Sequence, residues 1–350
     1  MEIHNAIGLL KRLIAAPSFS KEEGETADII AVHLETSGIA VFRKGNNVWA
    51  KNKFFDATKH TILLNSHHDT VKPNAGYILN PFEPIEKDGK LYGLGSNDAG
   101  GALVSLLFTF LHFYESEKTT FNIVFAATAE EEISGRNGIE SIISELGNID
   151  LAIVGEPTLM NLAVAERGLL VVDCIAKGKA GHAARNEGVN AIYEAMPDIE
   201  WFRTFRFPKK SDWLGEVSMN VTVINTGQAH NQVPAECTFV VDIRLNECYT
   251  HEEVLETIRE NVKCEVKERS TRIKSKGISL EHPIVKAAQH LGFELYGSPT
   301  TSDQALMPFT SVKLGPGDSA RSHSADEFIF VEEIEKGIEK YIRLLEVLNK

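Results

Sequence analysis

Apolar residues recur at helical spacing from the start of the chain. Ile3, Ile7, Leu10 and Ile14 lie three or four apart and predict an amphipathic helix that must end near Pro17. Ala27, Ile30, Ala31 and Leu34 form a second such stripe. Ser20 and Glu23 ahead of it read as a capping box, and Gly38 supplies its stop. The apolar runs that follow are too short for helices. Residues 48–50 and 61–64 read as strands, and a loop rich in Pro, Asn and Gly fills 71–89. Leu103, Leu106, Leu107, Phe110 and Tyr114 return to helical spacing, in a segment so apolar all round that it must be buried. Residues 121–127 and 151–154 are core strands that break into Glu130-Glu131-Glu132 and Gly155-Glu156. Strands alternating with helices, with charged residues just past the strand ends, predict an α/β sheet with its site at the carboxyl edge.

The texture changes at Gly168. A strand over 170–176, a helix over 188–205 and strands over 217–224 and 237–245 come next. A helix carrying Val254, Leu255 and Ile258, capped by Thr250 and Glu253, and a strand over 264–268 complete the order β-α-β-β-α-β of a two-layer ferredoxin-like domain. After Gly277 the α/β pattern resumes with a helix over 282–291, a strand ending at Leu314 and a last helix from Val331. The expected organisation is a catalytic α/β domain over 1–167 and 278–350, interrupted by an insertion over 168–277. A length of 350 residues suits two domains.

Composition narrows the partners. With 36 basic and 49 acidic side chains the net charge is −13, and no basic cluster could follow a phosphate backbone, which argues against nucleic acid. The four cysteines form no C-x-x-C pair and read as reduced thiols. Neither a leader pattern at Met1-Glu2-Ile3-His4-Asn5 nor a bilayer-length apolar run is present, so no membrane partner and a cytoplasmic location are expected.

His67 and Asp69 stand two apart at the end of a core strand, hence on one face of an extended chain. Taken singly, such a histidine reads as a hydrogen-bonded structural group, and Glu130–Glu132 as a solvated turn. The loop over 93–101 only loosely resembles a dinucleotide-binding glycine pattern, and Asp98 would repel a pyrophosphate. Taken together, His67, Asp98, Glu131, Glu132, Glu156 and His323 supply the parts of a two-metal hydrolase: a histidine and a carboxylate for each ion, a carboxylate between them, and another to carry a proton.

At this point the chain resembles a known family. His67-His68-Asp69-Thr70-Val71, then segments 92–101, 128–132 and 154–158, Gly181-His182 and segment 315–323 follow the order of the acetylornithine deacetylase, succinyl-diaminopimelate desuccinylase and carboxypeptidase G family. The resemblance implies a zinc-dependent α/β domain, a mixed sheet flanked by helices, with an inserted ferredoxin-like lid that forms a homodimer. It further implies two divalent ions, zinc with cobalt or manganese as alternatives. His67 and Glu156 would hold one, Glu132 and His323 the other, and Asp98 would bridge them. Asp69 would orient His67, Glu131 would be the general base, and His182 would reach the neighbouring subunit's site to steady an oxyanion. Asn231 and Arg244 would hold the substrate's carboxylate, and Gly315 and Gly317 would let the backbone approach it. His68 and Glu130 are expected to be bystanders, and Asp303 a candidate reader of the substrate side chain.

The implied activity is hydrolysis of the amide of a small-molecule Nα-acyl amino acid, of N-acetyl-ornithine or N-acyl-citrulline type, in arginine biosynthesis. A dipeptidase or carboxypeptidase of the same mechanism is the alternative, and a non-catalytic dimeric binding protein the alternative outside enzymes. Two departures bear on substrate identity: Leu94 where many relatives carry Arg, and Ala99-Gly100-Gly101 where they carry Met-Lys-Gly.

Overall fold

The computed structural model describes residues 3–349. The chain divides into two compact units, one of Met1–Val164, Ile278–Tyr296 and Ser302–Lys350, the other of Ala165–Gly277 and Gly297–Thr301. The first is built on a mixed sheet. Its central strand, Thr61–His67, is buried at every residue and runs parallel to Asn122–Thr128 on one side and Leu151–Val154 on the other. Ser311–Lys313 extends the parallel set beyond Leu151–Val154, and Asn47–Lys51 closes the far side antiparallel to Asn122–Thr128.

Both faces of this sheet are covered, which is why its strands read as unbroken apolar runs. Alternation divides their side chains between two cores. Ile62, Leu64 and Phe125 join the larger one, with the helices Ile3–Ala15, Gly101–Phe113 and Val331–Leu348, while Leu63, Val124 and Ala126 join the smaller one beneath the helix Ile139–Leu146. Gly101–Phe113 is buried along almost its whole length, as its composition requires. Tyr341, from the last helix, donates its hydroxyl to the Leu314 carbonyl and so anchors the strand end that leads towards His323.

In the second unit the strand order is Ser218–Thr226, Glu236–Leu245, Gly168–Lys177, Glu265–Ser270, all neighbours antiparallel. Helices Ala191–Thr204 and His251–Asn261 connect the strands in the ferredoxin-like order, and Phe202, Phe239, Val241, Ile243 and Ile258 form the core. The predicted capping box at Thr250 and Glu253 is present in both directions. The helix expected from 188 begins at Ala191, because the Asn190 side chain accepts from the Ile192 N–H and caps it there.

The other predicted capping box does not form. The helix Gly24–Thr36 begins without a side-chain cap. Ser20 donates instead to Asp69 at 2.7 Å, and Glu23 accepts from Asn46 at 2.8 Å and from the Glu130 N–H at 3.2 Å. Both residues are drawn away by buried polar groups elsewhere in the fold that have greater need of them. The loop predicted over 71–89 contains a strand, Ile85–Lys87, which joins Lys90–Tyr92 and Phe328–Phe330 in a small sheet. Strands of three residues carry too little periodicity to be read. Among the described residues the four cysteines are unpaired, and no helix is long and apolar enough to cross a membrane.

Candidate metal centre

The parallel strands end at one edge, and register brings their ends level: His67 lies beside Thr128, Asn65 beside Val154, and Val154 beside Lys313. Glu131 and Glu132 follow the second of these ends, Glu156 the third and His323 the fourth. Asp98 enters from the turn before the helix Gly101–Phe113. A sheet edge thus gathers residues up to 256 positions apart, the distance from His67 to His323.

Asp98 is central to the cluster. Its Oδ1 lies 3.3 Å from His67 Nε2 and its Oδ2 lies 3.7 Å from His323 Nε2, so one carboxylate divides its two oxygens between two imidazoles. Glu156 Oε1 is 3.8 Å and Glu131 Oε2 3.9 Å from His67 Nε2, while Glu132 approaches His323 Nε2 at 3.0 Å. Donor atoms of His67, Glu131 and Glu156 fall within 4.8 Å of one another, as do those of His67, Asp98 and Glu132. Among the described residues no ion pair joins a lysine or arginine to Asp98, Glu131 or Glu132. Carboxylates this close and largely shielded from water must be balanced by a cation or by retained protons. Imidazole and carboxylate donors are those that bind first-row divalent ions, so the residues fit the metals expected from the sequence.

Protonation follows the same electrostatics. Burial pushes the Glu131 carboxyl well above its usual range. Burial would lower His67, but contacts with Asp69 and Asp98 overcome it and raise the imidazole well above its ordinary value. The hydrogen bond with Glu132 raises His323 to about 9. Burial lifts Glu327 to about 8 and Asp303 to about 7. These shifts show a site that retains protons where no cation balances the carboxylates.

Asp69 is fully buried, and most of its hydrogen bonds serve a purpose other than the one expected. The closest partner of His67 Nδ1 is the Asp69 carbonyl at 3.0 Å, with the carboxylate at 3.4 Å. The carboxylate accepts from the Glu131 N–H at 3.0 Å, the Glu132 N–H at 3.2 Å and the Ser20 hydroxyl. One residue therefore orients the histidine and also fixes the turn that carries both glutamates. His68 and Glu130 stand behind the site. His68 contacts the Thr26 hydroxyl and the Asn46 carbonyl, and burial lowers it to about 4, so it is neutral. Glu130, at φ +56°, accepts from Asn137.

The residues expected to contact substrate have these partners within the chain. Asp303 is buried and accepts from the Thr128 hydroxyl at 2.6 Å, which supports the strand end. A Cβ on Gly315 would lie 2.4 Å from the Glu156 carbonyl, and one on Gly317, at φ +92°, would lie 2.6 Å from Asn97 Oδ1. The close approach these glycines allow is to the chain itself. In the second unit Arg244 is held by Asp242 at 2.8 and 3.1 Å, and the Asn231 carbonyl accepts from the Ala183 N–H. His182 is exposed on a two-residue strand paired with Gln232–Val233, and its Nδ1 accepts from the Ala184 N–H. Glu327, absent from the sequence reading, is buried and accepts three backbone N–H groups around Asp98. Its trace in the sequence is an acid directly before the apolar run Phe328-Ile329-Phe330.

A fold and donor cluster of this kind define a metal-dependent hydrolase. The chain belongs to peptidase family M20/M25/M40, whose model matches residues 63–347. It is 28% identical to an acetylornithine deacetylase of Proteus mirabilis, covering 97% of this chain and 96% of that protein. It is 29% identical to a succinyl-diaminopimelate desuccinylase of Erythrobacter litoralis, covering 70% of each. Among solved structures it is similar to aminopeptidase PepT of Bacillus cereus, with TM-score 0.80, 20% identity and full coverage of both chains. It is also similar to a dinuclear metal-binding M20 peptidase of Bacillus subtilis, with TM-score 0.75, 16% identity and coverage of 99% and 98%. The mixed α/β fold, with its sheet flanked by helices, is that of these structures.

The shifts carry a sign that can be measured. Glu327 keeps its proton in the folded chain up to about pH 8 but releases it near 4.5 when unfolded, so stability falls as pH rises through that window. The contribution of His323 is complete below its ordinary value of 6.5 and is lost as pH rises through about 9. Both slopes have the same sign. In excess chelator, urea unfolding should give a lower midpoint at pH 8.5 than at pH 5.5, and His323→Gln should narrow the difference. Equal midpoints for the parent chain would contradict these protonation states.

Proposed function

We propose that the chain is a two-metal amidohydrolase, located in the cytoplasm, that removes the acyl group from the α-nitrogen of a small amino acid. N-acetyl-ornithine or an N-acyl-citrulline is the substrate type, as in arginine biosynthesis. The observation that carries this reading is the division of the Asp98 oxygens between His67 and His323 with Glu131 alongside. Named relatives that act as a deacetylase and a desuccinylase support the class of bond.

In this reading His67 and Glu156 would hold one ion and Glu132 and His323 the other, with Asp98 available to both. Divalent ions held there, zinc in this reading, would supply a Lewis acid able to polarise the amide carbonyl and lower the pKa of a water. Glu131 takes a proton from that water as its oxygen attacks the carbonyl carbon, and returns it to the nitrogen as the C–N bond breaks. The products are a carboxylate and a free amine. Acceptance of the Ala184 N–H by His182 Nδ1 leaves the ring proton on Nε2, so the exposed edge is a donor suited to an oxyanion.

A second copy of this chain is the proposed partner, docked on the second unit. Ser218–Thr226 is an edge strand with one side of its backbone unpaired in the sheet, and its Val223 and Ile224 are exposed. The helix Ala191–Thr204 exposes Tyr193 and Met196 one turn apart, at 68% and 58%. Such a self-complementary edge and helix face suit a two-fold pair.

Three outcomes are expected. Zinc-loaded protein given a mixed pool of N-acetyl and N-succinyl amino acids and dipeptides should deplete the acyl-ornithine or acyl-citrulline species by mass spectrometry. Loss of dipeptides alone would move it to the peptidases, and no loss would leave a binding protein. Glu131→Gln should lower kcat by about 10²- to 10⁴-fold with metal content unchanged, and full turnover in a metal-loaded variant would remove Glu131 as the base. Tyr193→Arg with Met196→Arg should sediment as a monomer and lose turnover, whereas a fully active monomer would exclude action of His182 across subunits.

A further inference from the structure

Asp98 sits in a segment only partly held by its own hydrogen bonds, from the Ser96 N–H to the Gly93 carbonyl and from the Gly100 N–H to the Gly95 carbonyl. Residues 95–98 precede the helix Gly101–Phe113, and Asp98 itself has an extended backbone, at φ −118° and ψ 96°. N–H groups ahead of a helix have no acceptor one turn back and must find one elsewhere. A single side chain supplies it. Glu327 Oε1 accepts from the Asn97 N–H at 2.8 Å and the Asp98 N–H at 2.9 Å, and Oε2 from the Gly95 N–H at 3.2 Å. Its main chain takes part as well, the Glu327 carbonyl accepting from the Gly93 N–H at 3.0 Å. Glu327 is 2% exposed, so water cannot substitute for it.

The same carboxylate belongs to the loop that carries His323, four residues earlier. That loop is joined to the Asp98 segment a second time, by an amide that brackets the backbone of one residue, Asp318. Asn97 Nδ2 donates to the Asp318 carbonyl at 3.0 Å, and the Asp318 N–H donates to Asn97 Oδ1 at 3.0 Å. His323 stands between these two joints at a backbone φ of +57°. Its carbonyl is held by Asn74 Nδ2 at 3.0 Å, and Asp326 Oδ1 accepts from the Ile78 and Leu79 N–H groups. The Asp98 and His323 side chains are therefore mounted on two segments braced as one piece. Asp98 is flanked by the bonds to Glu327, and the separation of its Oδ2 from His323 Nε2 is set by that brace.

We propose that Glu327 is a positioning residue for the metal centre, a buried carboxylate that locks the Asp98 turn against the His323 loop and so presets the spacing of two ligands. The inference rests on the reading of Asp98 and His323 as ligands. Hydrogen bonds from three backbone N–H groups to one buried side chain hold the turn in place, so metal binding does not have to order it. Alanine in place of Glu327 leaves those donors unsatisfied and the turn free to relax. Glutamine keeps one oxygen for the Asn97 and Asp98 N–H groups but turns an amide donor towards Gly95.

Zinc binding to the full chain, measured by competition with a chromophoric chelator, tests this, alongside thermal melting of the metal-free protein. Glu327→Ala should weaken binding of the ions by about 10- to 100-fold while the metal-free protein still melts cooperatively, and Glu327→Gln should weaken it by a smaller factor. Loss of kcat/KM at limiting zinc should be recovered at saturating zinc, which a purely structural defect would not show. Parent-like affinity in a folded Glu327→Ala protein would overturn the proposal. If the alanine variant does not fold, Glu327→Gln decides: weakened binding supports the brace, and unchanged binding removes it. A parent chain that binds no zinc would overturn both the brace and the ligand assignment beneath it, whereas a parent that binds two ions beside an unaffected Glu327→Ala would overturn the brace alone.

Discussion

Like charges held close together out of water are the constraint around which the larger unit is arranged. Asp98, Glu131 and Glu132 converge on His67 and His323 with no lysine or arginine paired to them among the described residues, although each such carboxylate costs several kcal/mol to desolvate. That arrangement is tolerable in a protein that supplies a divalent cation to it. The parallel sheet makes the convergence possible because register aligns the ends of strands that are remote in sequence, and both faces of the sheet are buried in apolar cores that hold those ends in place.

Rigidity at the edge comes from carboxylates that face backbone, and it has the same form twice. Asp69 accepts the N–H groups of Glu131 and Glu132, and Glu327 accepts those of Gly95, Asn97 and Asp98. Each fixes a turn whose own peptide groups have no regular partner, and each does so from a different part of the chain. The turns themselves are thus free to present their acidic side chains to one another. Ser20 and Glu23 extend the first of these networks to the start of the chain, at the expense of the helix cap they would otherwise form.

Much of this was legible in the order of residues. Burial on both faces makes strands such as 61–64 and 151–154 continuous apolar runs, and a buried helix makes 103–114 apolar all round, so the larger elements could be read from hydrophobicity alone. Charged residues at or just past such strand ends singled out His67, Glu131, Glu132 and Glu156 as candidates, because few other places in a fold put charge directly against a core, whereas Asp98 on a turn and His323 on a loop entered only as further parts of the same donor set. The second unit was legible for the same reason, its alternating strands and the Thr250–Glu253 cap being local signals.

What stayed hidden were the pairings between distant segments. A capping box is a local pattern, and nothing near Ser20 discloses that Asp69, 49 residues on, is a better acceptor site for its hydroxyl. Asp303 and Thr128 lie 175 residues apart and meet because a strand end needs support. Gly315 and Gly317 announce close approach without saying to what, and the answer, Glu156 and Asn97, is a matter of packing. The order of apolar and charged residues was enough to place the elements and a candidate donor set. Which oxygen faces which imidazole, and which buried carboxylate holds which turn, follows from geometry among segments that only folding brings together.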